Sequence, residues 1–336
     1  MKVLLTGGLG YIGSHTAAAL VAAGHQPVLL DNLINSEIGV LDRIADALGG
    51  RPEFVCADMR DTDTLARVLA DLRIDAVIHF AGVKAVGESV RIPLSYFEIN
   101  IGGAISLLRA MEATGVRRLV FSSSATVYGV PRYLPFDEMH PTSPVNPYGR
   151  SKLHIEEIVA GVAETNGWRA IGLRYFNPVG AHASGLMGER PHGVPNNLMP
   201  FVAQVAAGER PYVEIFGDDY DTADGTGVRD YIHVMDVAEG HVAALGRLAG
   251  SGPNFEVFNL GTGRGASVRE MIAAFAAASG REIPSRVAPR RAGDLACYYA
   301  DPRRAEAVLG WRATRGLAEM CESAWRFQSR AVRESA

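Results

Sequence analysis

The chain has 336 residues, 48% of them hydrophobic and 21% charged, with a formal net charge of −4. That length and composition bury a full core as one large α/β domain or two coupled ones, which excludes a disordered or fibrous chain. A slightly acidic balance without a basic run argues against nucleic acid and anionic membrane surfaces as partners.

Branched apolar runs bounded by Gly, Pro, Asp or Ser predict buried strands at 2–6, 27–31, 53–56, 75–80, 117–122 and 170–175. Helix-like stretches at 14–23, 62–71, 93–114 and 148–165 separate them. Such alternation implies a parallel sheet with right-handed crossovers and helices on both faces. The first strand runs into Thr6-Gly7-Gly8-Leu9-Gly10-Tyr11-Ile12-Gly13 and then a helix. Gly7 suits the tight turn, Gly10 a close approach to a pyrophosphate, and Gly13 close helix–strand packing. The helix N-terminus then turns free N–H groups toward the phosphates. Asp31 ends the second strand, where a carboxylate binds an adenine-ribose 2′-hydroxyl and repels a 2′-phosphate. No Arg or Lys follows it until Arg43, so NAD is expected rather than NADP.

Asp58-Met59, after the third strand, reads equally as a contact to the adenine edge and as a turn or helix cap. Phe80-Ala81-Gly82-Val83-Lys84 ends the fourth strand at the crevice where ligands of such sheets bind. Phe121-Ser122-Ser123-Ser124 ends the fifth, with hydroxyls placed to share a proton with a substrate oxygen. Asn146 and Pro147 form a favoured helix start, after which Tyr148 and Lys152 share one face. A free tyrosine titrates near 10, so bringing it to neutrality takes roughly 4 kcal/mol of stabilisation of the phenolate. A nearby ammonium, the helix dipole and a bound nicotinamide's positive charge are suited to supply it.

After Asn177 the rhythm breaks at prolines 178, 191, 195, 200 and 211. The fold class expected is a Rossmann-type doubly wound parallel sheet with a smaller C-terminal substrate-binding α/β lobe. Residues 1–176 would form the dinucleotide-binding domain, with 228–262 returning to it and 256–260 rejoining the sheet. Residues 177–227 and 263–336 would form the substrate lobe. The three cysteines, Cys56, Cys297 and Cys321, fit neither a disulfide framework nor a zinc cluster. No His-Glu-x-x-His pair occurs, so no metal is expected. The N-terminal apolar run breaks at Gly7-Gly8, short of a secretory leader, and no uncharged stretch approaches a membrane span. A soluble, cytoplasmic chain is expected.

Three segments carry a resemblance: Thr-Gly-Gly-x-Gly-Tyr-Ile-Gly, 122–129 (Ser-Ser-Ser-Ala-Thr-Val-Tyr-Gly) and 148–152. They resemble the extended short-chain dehydrogenase/reductase superfamily. Within it, segments 80–90, 174–181, 195–200 and 225–236 look like the UDP-glucose 4-epimerase (UDP-galactose 4-epimerase) family. The resemblance implies that Tyr148 removes the proton of the sugar 4-hydroxyl while hydride passes to NAD. Lys152 would lower the tyrosine's pKa and hold the ribose, and Ser124 would bond the 4-oxygen. Cofactor contacts are implied at Gly7, Gly10, Tyr11, Ile12, Gly13, Asp31, Asn32, Asn35 and Ser36. They continue at Asp58, Met59, Phe80, Ala81, Gly82, Lys84, Asn100, Ser122 and Tyr175. On composition alone Asn100 would be a helix-surface residue.

For the substrates UDP-glucose and UDP-galactose, Arg229 and Arg291 match the diphosphate-binding positions, and Asp294 matches a carboxylate on the uridine ribose. Lys84, Phe176, Asn177, Asn197, Leu198 and Phe216 match further substrate contacts. Tyr298 follows the arginine segment, where it either walls the sugar pocket against a 2-acetamido group or packs in the core. A 4,6-dehydratase of the same fold needs an Asp-Glu pair after the strand-five hydroxyl, and this chain has Ala125-Thr126. The stretch 93–114 is apolar almost all round, with Leu94, Phe97, Ile101, Ile105, Leu108 and Met111. With 148–165 it would pack against its copy in a homodimer, unless the sheet and loops cover both faces.

Overall fold

Branched apolar segments form six strands at the start of the chain: β1 (Lys2–Thr6), β2 (Gln26–Asp31), β3 (Glu53–Cys56), β4 (Ala76–His79), β5 (Arg118–Ser122) and β6 (Arg169–Tyr175). Between them lie helices α1 (Tyr11–Ala22), α2 (Gly39–Leu48), α3 (Thr62–Asp71), α4 (Val86–Arg91), α5 (Pro93–Phe97), α6 (Gly103–Thr114) and α7 (Pro147–Asn166). Shorter elements follow: β7 (Asn177–Val179), α8 (Leu198–Ala206), β8 (Val213–Phe216), β9 (Val228–Arg229) and β10 (Tyr231–His233). Next come α9 (Val234–Ala249), β11 (Phe255–Leu260), β12 (Ala266–Ser267), α10 (Val268–Ser279), β13 (Ser285–Ala288), β14 (Cys297–Tyr298), α11 (Arg303–Leu309) and α12 (Leu317–Ser335). The structure is a computed structural model and describes residues 1–191, 193, 195–291 and 293–335.

Seven strands make one sheet in the order β11-β6-β5-β4-β1-β2-β3, all of them parallel. The order reverses between β1 and β4, which opens a crevice at their carboxyl ends. Alternate side chains serve opposite faces. Val3, Leu5, Leu29 and Ile78 pack with Leu20 of α1 and Leu245 of α9. Leu4, Leu30, Val77 and Phe121 pack with Leu69 of α3, Met111 of α6 and Val159 of α7. Both faces are covered, as a parallel sheet requires. Away from the sheet, Met199, Val202, Val213, Met271, Phe275 and Met320 build a second core from α8, β8, α10 and α12. Among the described residues no helix is long and apolar enough to cross a membrane, and no group of His, Cys, Asp or Glu is arranged to hold a metal.

One expectation needs correction. The stretch 93–114 is helical throughout, as expected, but α5 passes at Phe97 into a π-helical turn, Glu98–Gly102, that leads into α6. The wide turn carries Asn100 inward to 2% exposure, so Asn100 is not a surface residue. There its amide donates to Val83 O at 3.1 Å and Ser151 Oγ at 3.0 Å, and its oxygen accepts from Val83 N at 2.9 Å. Helix α2, in addition, buries Leu41 and Ile44 against the sheet. Strand limits otherwise shift by a residue at most, and 255–260 does rejoin the sheet beside β6.

Buried histidines make this fold sensitive to acid. Burial pushes His15 and His79 down to about 3, and His233 and His241 down to about 4. An unfolded histidine titrates near 6.5, so at pH 4–6.5 the unfolded chain holds more protons and stability falls as pH is lowered. Above about 6.5 nothing is lost. Each histidine adds up to about 1.4 kcal/mol per pH unit within that window. Urea unfolding from pH 7.5 to 4.5 should show the decline, and a His15→Gln chain should show a shallower one.

Candidate active site

The crevice begins where β1 ends. The chain turns at Gly7 with φ +70°, and a Cβ there would lie 2.8 Å from Ala81 N, because the loop crosses the end of β4. A Cβ on Gly13 would lie 2.3 Å from Gly7 O, so α1 can approach the loop only without a side chain. Among the described residues no side chain caps α1: Gly10 makes no side-chain bond and the first turn holds no acidic residue. Its positive end is therefore offered to an external anion. Asp31, 7% exposed, accepts from Leu9 N at 3.1 Å, Leu33 N at 3.0 Å and Ser36 Oγ at 2.8 Å.

Beside it Asn32 Nδ2 donates to Asp58 Oδ2 at 3.2 Å. Arg60 grips the same carboxylate with two bonds of 2.9 Å, holding it well below the usual range. The helix cap at this edge is Asp61, through Thr64 N, rather than Asp58. Met59 packs into the core, and Asn35 is exposed. A glycine-lined loop, an uncapped helix end and a carboxylate at the second strand together suit a dinucleotide with a free ribose 2′-hydroxyl.

Opposite the loop, Asn146 Oδ1 accepts from Gly149 N at 2.8 Å with Pro147 opening α7. That start sets Tyr148 and Lys152 on the buried face, 8% and 5% exposed. Lys152 Nζ donates to Ser122 O at 2.9 Å and lies 5.9 Å from the Tyr148 ring centre. Burial pushes the Tyr148 phenol up to about 12, and the Ser124 hydroxyl pulls it back. Burial lowers Lys152 to about 8, with Glu156 opposing. Ser124 Oγ accepts from Thr126 N at 3.2 Å and Thr126 Oγ1 at 2.9 Å, which orients it. Ser122 Oγ is engaged by Tyr175 Oη at 3.0 Å and His241 Nε2 at 3.2 Å, so it belongs to the wall.

The smaller elements bring the remaining candidates together in pairs. Arg229 Nη2 lies 3.3 Å from Asp294 Oδ1, and its Nη1 donates to Leu295 O at 2.8 Å. Arg291 stacks on Phe216, 3.8 Å from the ring centre. Tyr298 packs 5.4 Å from Phe176 and 4.6 Å from Phe136, and its hydroxyl donates to Ala125 O, next to Ser124. It therefore packs in a small aromatic core and borders the Ser124 turn at once. Asn197 Nδ2, beside Leu198 at the start of α8, donates to Glu189 Oε1 at 2.9 Å, and Lys84 Nζ donates to the same oxygen at 3.2 Å. Asn177 opens β7, next to β10. Tyr11 Oη donates to Gly180 O at 2.6 Å.

Sequence reasoning passed over two carboxylates. Glu189 joins Lys84 to Asn197, and no local pattern marks it. Glu156 lies one helical turn beyond Lys152 on the buried face of α7, a spacing that pointed to it.

A family model described as GDP-mannose 4,6 dehydratase matches residues 4–324. The UDP-glucose 4-epimerase of Neisseria meningitidis serogroup C is 53% identical over 333 residues, covering 98% of this chain and 97% of the relative. The human UDP-glucose 4-epimerase is 53% identical over 335 residues, covering 97% and 96%. A crystal structure of UDP-glucose 4-epimerase from Stenotrophomonas maltophila, with bound NAD and formylated UDP-arabinopyranose, superposes with a TM-score of 0.97 at 52% identity over 100% of both chains. The enzyme from Bifidobacterium longum, in complex with NAD+ and UDP, gives 0.94 at 48% identity over 98% of each. The chain belongs to the UDP-glucose 4-epimerase family of the extended short-chain dehydrogenase/reductases.

Proposed function

We propose that the protein interconverts UDP-glucose and UDP-galactose by inverting C4 through a transient 4-keto sugar. The observation that carries this reading is the buried trio of Tyr148, Lys152 and Ser124, set where β5 of the sheet that also carries the glycine loop ends, with Ala125 rather than a carboxylate after Ser124. A site that eliminated water from the sugar would need an acid–base pair there.

NAD, when bound, supplies the hydride acceptor and returns the same hydride. The first turn of α1 would hold its pyrophosphate, and Asp31 its adenosine ribose. Asn32, Asn35, Ser36, Asp58 and Met59 would surround the adenosine half. Phe80, Ala81, Gly82, Lys84, Asn100, Ser122 and Tyr175 would line the nicotinamide half. Tyr148 takes the proton from the 4-hydroxyl and gives it back after the sugar turns over. Lys152 favours the phenolate electrostatically, and Ser124 holds the 4-oxygen. Arg229 and Arg291 suit the diphosphate through their forked donors, and Asp294 suits the uridine ribose. Phe176, Asn177, Asn197, Leu198, Phe216 and Tyr298 complete the pocket. A firm grip on the nucleotide with few contacts to the sugar permits turnover of the ketone. Residues 1–176 with 228–262 serve the cofactor in this reading, and the remainder serves the substrate.

Incubation with UDP-galactose, without added cofactor, should give a mixture with UDP-glucose by proton NMR. A 4-keto-6-deoxy product, or no change after NAD is supplied, would overturn the assignment. UDP-N-acetylgalactosamine in parallel should react far more slowly, because Tyr298 walls the pocket. Asp31→Asn should improve use of NADP relative to NAD at least tenfold, about 1.4 kcal/mol. An unchanged ratio would remove Asp31 from cofactor choice.

The same reading makes the protein a cytoplasmic homodimer. Val90 and Leu94 are 63% and 81% exposed on α4 and α5, with Val86, Ile92 and Ile105 also exposed nearby. That apolar face suits a second copy through an isologous contact. Sedimentation should find a dimer, and Leu94→Glu should weaken it.

A further inference from the structure

A buried carboxylate behind the reacting groups ties three catalytic elements together. Glu156 is 3% exposed on α7, one turn beyond Lys152 and two beyond Tyr148. Its Oε1 accepts from Ser123 Oγ at 2.5 Å and from Arg174 Nε at 3.0 Å, and its Oε2 accepts from Arg174 Nη2 at 2.6 Å. Ser123 precedes Ser124 at the end of β5, and Arg174 precedes Tyr175 and Phe176 at the end of β6. Arg174 is itself held over the Tyr128 ring, 4.9 Å from its centre, and Tyr128 Oη donates to Asn259 Oδ1 of β11 at 2.7 Å. The cluster therefore spans α7, β5, β6 and β11 with each partner fixed.

We propose that Glu156 is a positioning residue for the epimerisation. It locks the Ser122–Ser124 corner and the end of β6 against the helix face that carries Tyr148 and Lys152, and its carboxylate, paired with Arg174, lies one helical turn from Lys152 on the same buried face. The inference rests on Tyr148 being the acid–base group. Ser122 O accepts from Lys152, and the Ser124 hydroxyl pulls the Tyr148 phenol down, so a corner free to slide would disturb both. The titratable and charged groups around Lys152 are Tyr148 and Glu156 on its own helix, His79 from β4, Arg174 and Tyr175 from β6, and His241 of α9 behind Ser122. Glu156 is the group among them that favours the charged lysine, while burial opposes it.

The test compares Glu156→Gln and Ser123→Ala holoenzymes with wild type. Two readouts serve: the pH dependence of kcat and KM, and the phenolate absorbance near 295 nm between pH 6 and 9.5, taken as a difference against Tyr148→Phe. Glu156→Gln should lower kcat at least tenfold with KM within about twofold. Its alkaline limb should move to lower pH, because Lys152 then loses its proton earlier, and the phenolate titration should move to higher pH. Ser123→Ala keeps both charges, so kcat should fall severalfold with the alkaline limb unmoved. Wild-type kcat and an unmoved titration in both variants would reduce Glu156 to a fold-stabilising residue and overturn the inference. Should Glu156→Gln fail to fold, wild-type kcat and titration in Ser123→Ala overturn it alone. Absence of epimerisation in the wild type would instead sink the proposed function, and the absorbance titration would still decide the role of Glu156.

Discussion

Tyr148→Phe should reduce turnover by about 10²–10⁴-fold, the range expected for loss of a positioned acid–base group. Affinity for NAD and for UDP should stay within a few-fold of wild type. The reason is geometric. The phenol is 8% exposed on the inner face of α7, and removing its oxygen leaves the ring, and hence the shape of the wall, in place. What disappears is the phenol hydroxyl on the helix face that also carries the Lys152 ammonium. Burial puts the phenol at about 12 and the lysine at about 8. On the proposed mechanism, positive charge arriving at the nicotinamide position favours removal of the phenol proton. Because burial favours the neutral lysine, its charge is present below about pH 8 and lost above it, so wild-type activity should fall on the alkaline side. Measurement of kcat by NMR, with cofactor content by absorbance, checks both halves. Near-normal turnover in the phenylalanine variant would remove Tyr148 from the chemistry.

The cofactor side was legible because its parts are local. A strand, a glycine loop and a helix follow one another within 22 residues, and the tyrosine and lysine share a face by helical spacing alone. The substrate side is not local. Arg229 meets Asp294 across 65 positions, through the pairing of β9 with β14, and Arg291 meets Phe216 through the pairing of β13 with β8. Strands of two to four residues carry too little periodicity to predict such pairings, so these residues rested on resemblance. The π-turn at Asn100 escaped for a related reason: an extra residue in a helix leaves the apolar pattern almost intact. Glu156 escaped because a lone carboxylate on a helix reads as solvated. Arg174, 18 positions away, and Ser123 together make its burial tolerable.

Gly13→Ala should strip the purified protein of its dinucleotide and cost stability of about 1–3 kcal/mol through overpacking. The added Cβ would lie 2.3 Å from Gly7 O and 3.0 Å from Gly8 Cα, backbone on both counts, so no side chain can swing away to receive it. Relief requires α1 to lift off the loop. That movement carries the first-turn N–H groups away from the place where a pyrophosphate would sit, so packing and binding fail together. Gly161→Ala is the control. It lies exposed within α7 with open space around its Cβ, and there the same substitution should stabilise by up to about 1 kcal/mol through helix propensity. Thermal unfolding and the 260/280 nm absorbance ratio report the two effects separately. If Gly13→Ala melts like wild type and keeps its cofactor, the close approach of α1 to the loop is not what holds the dinucleotide. If it melts lower but refills when NAD is added, the loop survives the strain, and it is the standing contact rather than the capacity to bind that the glycine secures.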